Sequence, residues 1–205
     1  MVYVALLRGI NVGGKNPIRM ADLKACFEGQ GFRRVTTYIQ SGNVVFEAGA
    51  PGDADLPRRI ERALASAFDY PASVVLRSRK QMGDAVGRAP EGFGAQPARF
   101  RYDVVFLKEP LDARTAMKDV PTRPGVDRAW PGPGVLYFSR LIREAPRSML
   151  SRIVSLPVYQ RMTIRNWNTT TRLLELMRGT EVGGSRLRRP NGEHGGRLTL
   201  PASTS

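Results

Sequence analysis

Cysteine and histidine are almost absent from this 205-residue sequence, which contains one of each, Cys26 and His194. A single cysteine excludes a disulfide framework within the chain. One histidine with one cysteine argues against a zinc site and gives little support to a Ser/His or Cys/His nucleophile pair. We therefore expect neither a metal nor a cofactor, and the sequence assigns no catalytic residue.

Long apolar runs are also missing. No stretch approaches the roughly 20 apolar residues of a membrane-spanning helix, and the N-terminus has the pattern of a strand rather than of a signal peptide. Together with the low cysteine content, this predicts a cytoplasmic protein that does not enter membranes.

Acidic residues are scarce relative to basic ones: 18 Asp and Glu stand against 32 Lys and Arg, a net charge of +14. A charge of this size favours a polyanionic partner such as nucleic acid. Arginine outnumbers lysine and Ala, Gly and Pro are frequent, a pattern that a GC-rich coding sequence also produces. The charge alone leaves both explanations open.

The first strongly patterned stretch is an apolar run, Val2–Leu7, followed by a glycine-rich loop that leads to a predicted helix. Because neither face of this strand carries a polar residue, we expect it to be covered on both sides. The loop matches G-x-x-x-x-G-K from Gly9 to Lys15, but Asn16 occupies the position where a P-loop has Ser or Thr. We interpret it as an anion-binding turn at a helix N-terminus, or as a tight turn that simply requires glycine.

The second patterned stretch is a strand–turn–strand at 35–46, in which Ser41, Gly42 and Asn43 form the turn. With helices predicted at about 18–27 and 56–67 and a further strand at 73–77, the element order is βαββαβ. The predicted fold class is α+β, with an N-terminal ferredoxin-like half followed by a second, similar α+β half.

The sequence divides into four predicted segments. They are a ferredoxin-like half at 1–88, a Gly/Pro-rich linker at 89–100, a second half at 101–178 that ends in a helix, and a flexible basic tail at 179–205. In the second half, strands are predicted at 102–107, 126–130, 135–139 and 162–164. Helices are predicted at 111–120, 147–154 and 170–177.

Three motifs, LLRGINVGGKN, TYIQSGNVVF and MTIRNWNT, resemble the bacterial family known as domain of unknown function 1697. The resemblance covers about residues 2–178 and implies a ferredoxin-like first half with an α+β second half. It implies no established activity, so only motif positions are transferred.

Adjacency of the first and third strands should bring the first two motifs together, and we expect the third motif to pack beside them. We predict a ligand-binding corner composed of Arg8, Gly9, Asn11, Gly13, Gly14, Lys15, Tyr38, Ser41, Gly42, Asn43, Arg165 and Asn166. The alternatives are that the Asn and Ser side chains only cap turns, and that Trp167 is a buried anchor of a structural joint.

Three functions remain open from the sequence. The first is a protein of unknown biochemical function with an anion-binding surface for nucleic acid or phosphate. The second is an enzyme or binder of a small anionic ligand at the glycine-rich corner. The third is a structural or interaction module without a ligand, either monomeric or homodimeric.

Overall fold

A computed structural model describes residues 1–11, 17–49, 54–68 and 73–182. The elements of the first half are β1 (Val2–Arg8), α1 (Met20–Gly29), β2 (Arg33–Tyr38), β3 (Asn43–Glu47), α2 (Leu56–Phe68), β4 (Ser73–Ser78) and α3 (Arg79–Gly87). Those of the second half are β5 (Phe100–Leu107), α4 (Ala113–Asp119), β6 (Asp127–Gly132), β7 (Val135–Leu141), α5 (Leu150–Ile153), β8 (Met162–Asn166) and α6 (Trp167–Val182). Two 3-10 turns, Ile142–Arg147 and Pro157–Arg161, flank α5.

The strands form two four-stranded antiparallel sheets with corresponding orders, β2-β3-β1-β4 and β6-β7-β5-β8. In each sheet the first strand of its half is central and lies between the third and fourth strands. The predicted α+β class is therefore confirmed.

Strand β1 is buried on both faces, as its continuous apolar sequence predicts. Tyr3, Ala5 and Leu7 enter a core against α1 and α2, whereas the alternate residues Val4 and Leu6 enter a second core. Since successive strand side chains point to opposite faces, only an apolar residue at every position allows one strand to serve two cores.

The second core is shared between the two halves. Val4 and Leu6 of the first sheet lie in one cluster with Phe106 and Tyr137 of the second sheet, and α3 and α6 contribute to the same cluster. Burying a large apolar side chain contributes about 1.5–3 kcal/mol. Separating the halves would expose several such side chains at once.

The outer face of the second sheet is covered by α4 and α5. The predicted helix at 147–154 is shorter than expected, because Pro146 lies in a 3-10 turn and Ser148 separates that turn from α5. The Ser148 hydroxyl accepts a hydrogen bond from the Leu150 N–H at 3.2 Å, which helps to start the four-residue helix there.

Other boundaries also differ from the sequence prediction. Ile39 was expected in a strand but has φ 47° and is exposed, so β2 ends at Tyr38. Residues 179–182 were assigned to the tail but belong to α6, while 183–205 lie outside the described residues. In the predicted linker, Phe93 packs on Tyr102 and Tyr137 at ring distances of 4.9 and 5.3 Å. None of the described helices is long and apolar enough to cross a membrane.

Candidate functional site

The first two predicted motifs meet through Asn11, which follows the end of β1. Its Nδ2 donates to the carbonyls of Ile18 and Gln40, both at 2.9 Å, and its Oδ1 accepts from the Ile18 N–H at 2.8 Å. Asn11 has φ 51°, a left-handed conformation that asparagine tolerates better than most residues. Its amide thus joins the loop after β1 to the turn before β3.

Gly42 sits where that turn passes closest to β1. Its φ is 76°, and a Cβ added there would lie 2.6 Å from Ile10 Cδ1 and 2.9 Å from Leu7 Cβ. The close approach lets the Gly42 carbonyl accept from the Leu7 N–H at 2.8 Å. Both the conformation and the lack of space require glycine at this position.

Asn43 is fully buried at the start of β3. Its Nδ2 donates to the Tyr38 carbonyl at 2.9 Å and to Ser41 Oγ at 3.1 Å. Its Oδ1 accepts from Arg165 Nε at 2.5 Å. Asn43 therefore closes its own turn and receives the third motif.

Arg165 extends from β8 of the second sheet into this corner, where it is 7% exposed. Its Nη2 donates to the carbonyls of Leu7, Ser41 and Gly42 at 2.7, 2.9 and 3.3 Å. Its Nη1 donates to Thr163 Oγ1 and to the Ile164 carbonyl, both at 2.8 Å. With Nε on Asn43, each of the three guanidinium nitrogens has an internal acceptor.

This saturation decides what Arg165 can do. A guanidinium has five N–H donors, and the six contacts occupy them with protein acceptors, so none remains for a ligand. The acceptors are carbonyl, hydroxyl and amide oxygens rather than carboxylates, and burial lowers the pKa of Arg165 to about 10. We assign Arg165 as a clasp that binds the second half to the first.

Arg8 and Asn166 complete the described part of the corner. Arg8 Nη2 donates to Gln160 Oε1 at 2.5 Å, and its guanidinium lies 5.4 Å from the centre of the Tyr159 ring. Asn166 caps α6, because its Oδ1 accepts from the Thr169 N–H at 2.7 Å. Gly9 is exposed, with φ 76°. Gly13, Gly14 and Lys15 lie outside the described residues, so ligand binding at this loop stays a prediction.

Trp167, expected near these loops, packs on the segment between the halves and lies in the same apolar cluster as Tyr38. Its ring is half-buried and lies 5.2 Å from that of Phe93. A Cβ on Gly94 would come within 2.4 Å of Trp167 Nε1. The tryptophan is an anchor, but its partner is the 89–100 segment.

A second clasp, which sequence reasoning missed, is formed by Arg77 of β4. It is 4% exposed, and burial lowers its pKa to about 10. Its Nη2 donates to the carbonyls of Leu107 and Gly134, the latter at 2.8 Å, and its Nη1 donates to the Leu76 carbonyl at 2.8 Å. Arg77 thus joins the first half to the second.

The two clasps occupy corresponding positions. Arg77 pairs with Val4 across β4 and β1, and Arg165 pairs with Val104 across β8 and β5. Their acceptors correspond too: Leu7 and Gly42 for Arg165 match Leu107 and Gly134 for Arg77, and both glycines have positive φ. Each half therefore inserts one arginine into the same place in the other, in an approximately two-fold arrangement.

A cleft of about 660 Å³ runs along β4 beside the Arg77 clasp. Its walls come from β1, α2, β4, α3 and the residues after β5, and they include Arg58, Glu61, Gln81, Lys108 and Glu109. Lys108 Nζ pairs with Glu61 Oε1, which also accepts from the Val74 N–H at 2.8 Å. The cleft thus lies at the joint between the halves and has a mixed, ion-paired lining.

Several arginines of the second half lie at one end of its sheet, here called the basic end. It consists of Arg99, Arg101, Arg128, Arg140 and Arg143. Strand register places Arg101 opposite Arg140, and Arg140 opposite Asp127. The Arg99 carbonyl accepts from the Ile142 N–H at 3.0 Å, which brings Arg143 to the same end.

The carboxylates on the strands of the basic end, Asp103 and Asp127, are buried. Asp127 accepts from Ser148 Oγ at 2.6 Å and from the Met149 and Arg123 N–H groups. Asp103 lies 3.5 Å from Arg140, and burial raises the pKa of Asp103 against the opposing effect of Arg140 and Arg101. The guanidinium groups of Arg99, Arg101, Arg128 and Arg143 belong to exposed residues.

Groups suited to covalent or metal chemistry are sparse in the described part of the chain. No cluster of three or more His, Cys, Asp or Glu residues is arranged there to hold a metal. Cys26 is half-buried on α1, and burial raises the pKa of its thiol. A raised pKa leaves less thiolate, the nucleophilic form.

Comparison with known proteins agrees with the fold. The sequence model of a family described as "Protein of unknown function (DUF1697)" matches residues 1–137. The chain belongs to this family. Conserved bacterial protein SP0830 from Streptococcus pneumoniae, a solved structure, aligns with a TM-score of 0.75 and 26% identity over 86% of this chain and 98% of that chain. None of the curated proteins matches.

The DUF1697 match contains the Arg77 clasp but stops before the Arg165 clasp. Arg77 lies within residues 1–137, whereas Arg165 lies beyond them. Because the DUF1697 description names no activity, a function for this chain must be argued from its own surfaces.

Proposed function

We propose that this protein binds polyanions through the basic end. The observation that carries the proposal is the convergence of Arg99, Arg101, Arg128 and Arg143, all exposed, at one end of the second sheet while the nearby Asp103 and Asp127 are buried. Clustered cations raise the local concentration of an anionic partner and release its counterions on binding.

Because the described polar groups of the predicted corner are largely engaged by the protein itself, we place the main anion site elsewhere. Arg165 donates only to protein acceptors there, and Asn11 and Asn43 are engaged in closing turns. By contrast, the arginines of the basic end lie on the surface, where a phosphate or sulfate can approach them.

The proposal is tested by affinity for immobilised heparin. A triple variant, R101A/R128A/R143A, should elute at clearly lower salt than the wild type. The matched control, R33A/R114A/R152A, also removes three positive charges, but from exposed positions outside the basic end. Equal elution of the two triple variants would reduce the effect to net charge and refute a localised site.

A second candidate function is binding of a small anionic ligand in the cleft beside Arg77. Its volume of about 660 Å³ lies within the range of small-molecule sites. Arg58, Arg77 and Lys108 outnumber Glu61 and Glu109 along its walls. Benzoate should shift the backbone amide NMR signals of β4, whereas benzamidinium, a planar cation of nearly the same shape, should not. Equal responses would exclude an anion site.

The remaining features extend the same proposal. We infer that both halves are ferredoxin-like, supported by their matching strand orders. We place the protein in the cytoplasm, a reducing compartment in which a lone thiol is stable. The glycine-rich loop remains a candidate for small-anion binding. The other alternative is a monomeric or homodimeric module without a ligand, which would be favoured if the protein were not retained on immobilised heparin.

A further inference from the structure

Half-buried aromatic side chains lie among the arginines of the basic end. They are Phe100 and Tyr102 on β5 and Trp130 on β6. Phe100 stands between Arg99 and Arg101 in the chain, and Trp130 lies two residues from Arg128. Charge and aromatic surface therefore occur together at this end of the sheet.

Register places these aromatic residues on the same face as one of the arginines. Tyr102 is opposite Ser139, and Ser139 is opposite Arg128, so these residues form one row across three strands. Phe100 and Trp130 share that face, because each is two residues from a member of the row along its own strand. The alternate row, Arg101 and Arg140, points to the other face.

The contacts show how the rings are arranged. The Arg99 guanidinium lies 5.2 Å from the centre of the Phe100 ring, and the Phe100 and Tyr102 rings are 6.1 Å apart. Phe93 packs edge-on against Tyr102 and Trp130, at 4.9 and 6.2 Å, which holds the inward parts of the cluster. Phe100, Tyr102 and Trp130 each keep part of their surface exposed.

We infer that the polyanion bound at the basic end is single-stranded nucleic acid; this inference rests on the proposed function above. Unpaired bases offer ring faces that stack on aromatic side chains, while arginines follow the phosphates. Heparin has charge but no bases, and a duplex keeps its base faces stacked inside. Of these polyanions, only a single strand can use both features.

The site differs from an open-sheet RNA-binding surface. Such domains stack bases on aromatic residues in the middle of an exposed sheet face. Here that face is occupied by the shared core, in which Val104, Phe106 and Tyr137 are fully buried. Bases can reach only the end of the sheet, so we expect a short footprint of one or two stacked bases.

The test measures fluorescence anisotropy of a labelled 20-nucleotide oligo(dT), with heparin and a 20-base-pair duplex as competitors. Phe100→Leu keeps an apolar side chain but removes the aromatic face. It should weaken oligo(dT) binding about fivefold or more, the lower range for loss of one stacked base. Its retention on heparin should be unchanged. Phe68→Leu, a half-buried aromatic residue at the end of α2, is the matched control.

A second readout keeps the test valid if Phe100→Leu perturbs folding. Oligo(dT) should quench tryptophan fluorescence in the wild type, and Trp130→Phe should remove most of that quenching while Trp167 remains. If heparin and oligo(dT) both bind but Phe100→Leu and quenching show no effect, the stacking inference is wrong and polyanion binding stands. If neither polyanion binds, the proposed function itself fails.

Discussion

Replacing Arg165 with alanine should destabilise the protein strongly. The substitution removes the donors to the Leu7, Ser41 and Gly42 carbonyls and to Asn43 Oδ1 in a buried site. A buried acceptor that loses its partner costs about 1–3 kcal/mol. Relief of a buried charge and entry of water offset part of that sum, so we expect a net loss of about 3–5 kcal/mol.

Urea unfolding followed by circular dichroism measures this loss directly. For a chain of this size about 3 kcal/mol corresponds to a fall in Tm of roughly 6–12 °C. Arg165→Lys keeps the charge but not the planar fork, and should recover only part of the stability. The control is Arg161→Ala, an exposed residue immediately before β8, which should stay within about 0.5 kcal/mol of wild type.

Arg77→Ala should cause a similar loss of stability, because Arg77 donates to the corresponding carbonyls of Leu107 and Gly134. A change below about 1 kcal/mol in Arg165→Ala would refute the clasp assignment, since water would then satisfy the acceptors as well as the guanidinium does. In that case Arg165 would again be eligible as a ligand-binding residue.

Three further predictions concern single residues. Gly42→Ala should lower the free energy of unfolding in urea by about 2–4 kcal/mol, because the added methyl group clashes with Leu7 and Ile10. Gly31→Ala is the control: its φ is 80° but the space around it is open, so it should cost only about 1 kcal/mol. Equal losses would mean that the cost comes from backbone conformation and not from the clash. Tyr137→Phe should lower the free energy of unfolding by about 1–2 kcal/mol, because the phenol donates to the Ala85 carbonyl at 2.7 Å. In an absorbance titration, the variant should also lack the tyrosine whose pKa is raised to about 12. Loss of a transition with a lower pKa would contradict that assignment. The pKa of Asp103 is raised by burial, so its contribution to stability is complete at low pH and is lost as the pH rises through that pKa. Asp103→Asn should therefore flatten the decline of Tm with rising pH. An unchanged pH profile of Tm would exclude Asp103 as the source of that decline.

The fold of the first half was predicted well because its strands and turns are marked by short stretches of neighbouring residues. The apolar run at 2–7 had to be a strand with two covered faces, and the adjacency of β1 and β3 required the loop after Arg8 to meet the turn at Ser41. Even the contact of the third motif with this corner is observed, through Arg165. The sequence left open whether Arg165 belongs to a structural joint or to a ligand pocket, because it does not reveal how many of the guanidinium donors the protein itself occupies.

The missed features depend on contacts between the halves. Arg77 ends the apolar run of β4 and resembles a charged residue at a solvated strand end, and only the approach of Leu107 and Gly134 buries it. The basic end likewise requires the register of β5 with β7, which places Arg101 beside Arg140 although they are distant in sequence. Periodicity identifies strands but not which ends of them meet.

The reciprocal clasps also explain how two similar halves can behave as one structural unit. A buried arginine whose acceptors are backbone carbonyls is stable only while the partner half holds those carbonyls in place. If one half unfolds, the arginine of the other half loses the carbonyl acceptors that the unfolded half supplied, and the remaining half exposes its side of the core shared by Leu6 and Phe106. Both losses act in the same direction, so we expect partial unfolding of either half to carry the other with it.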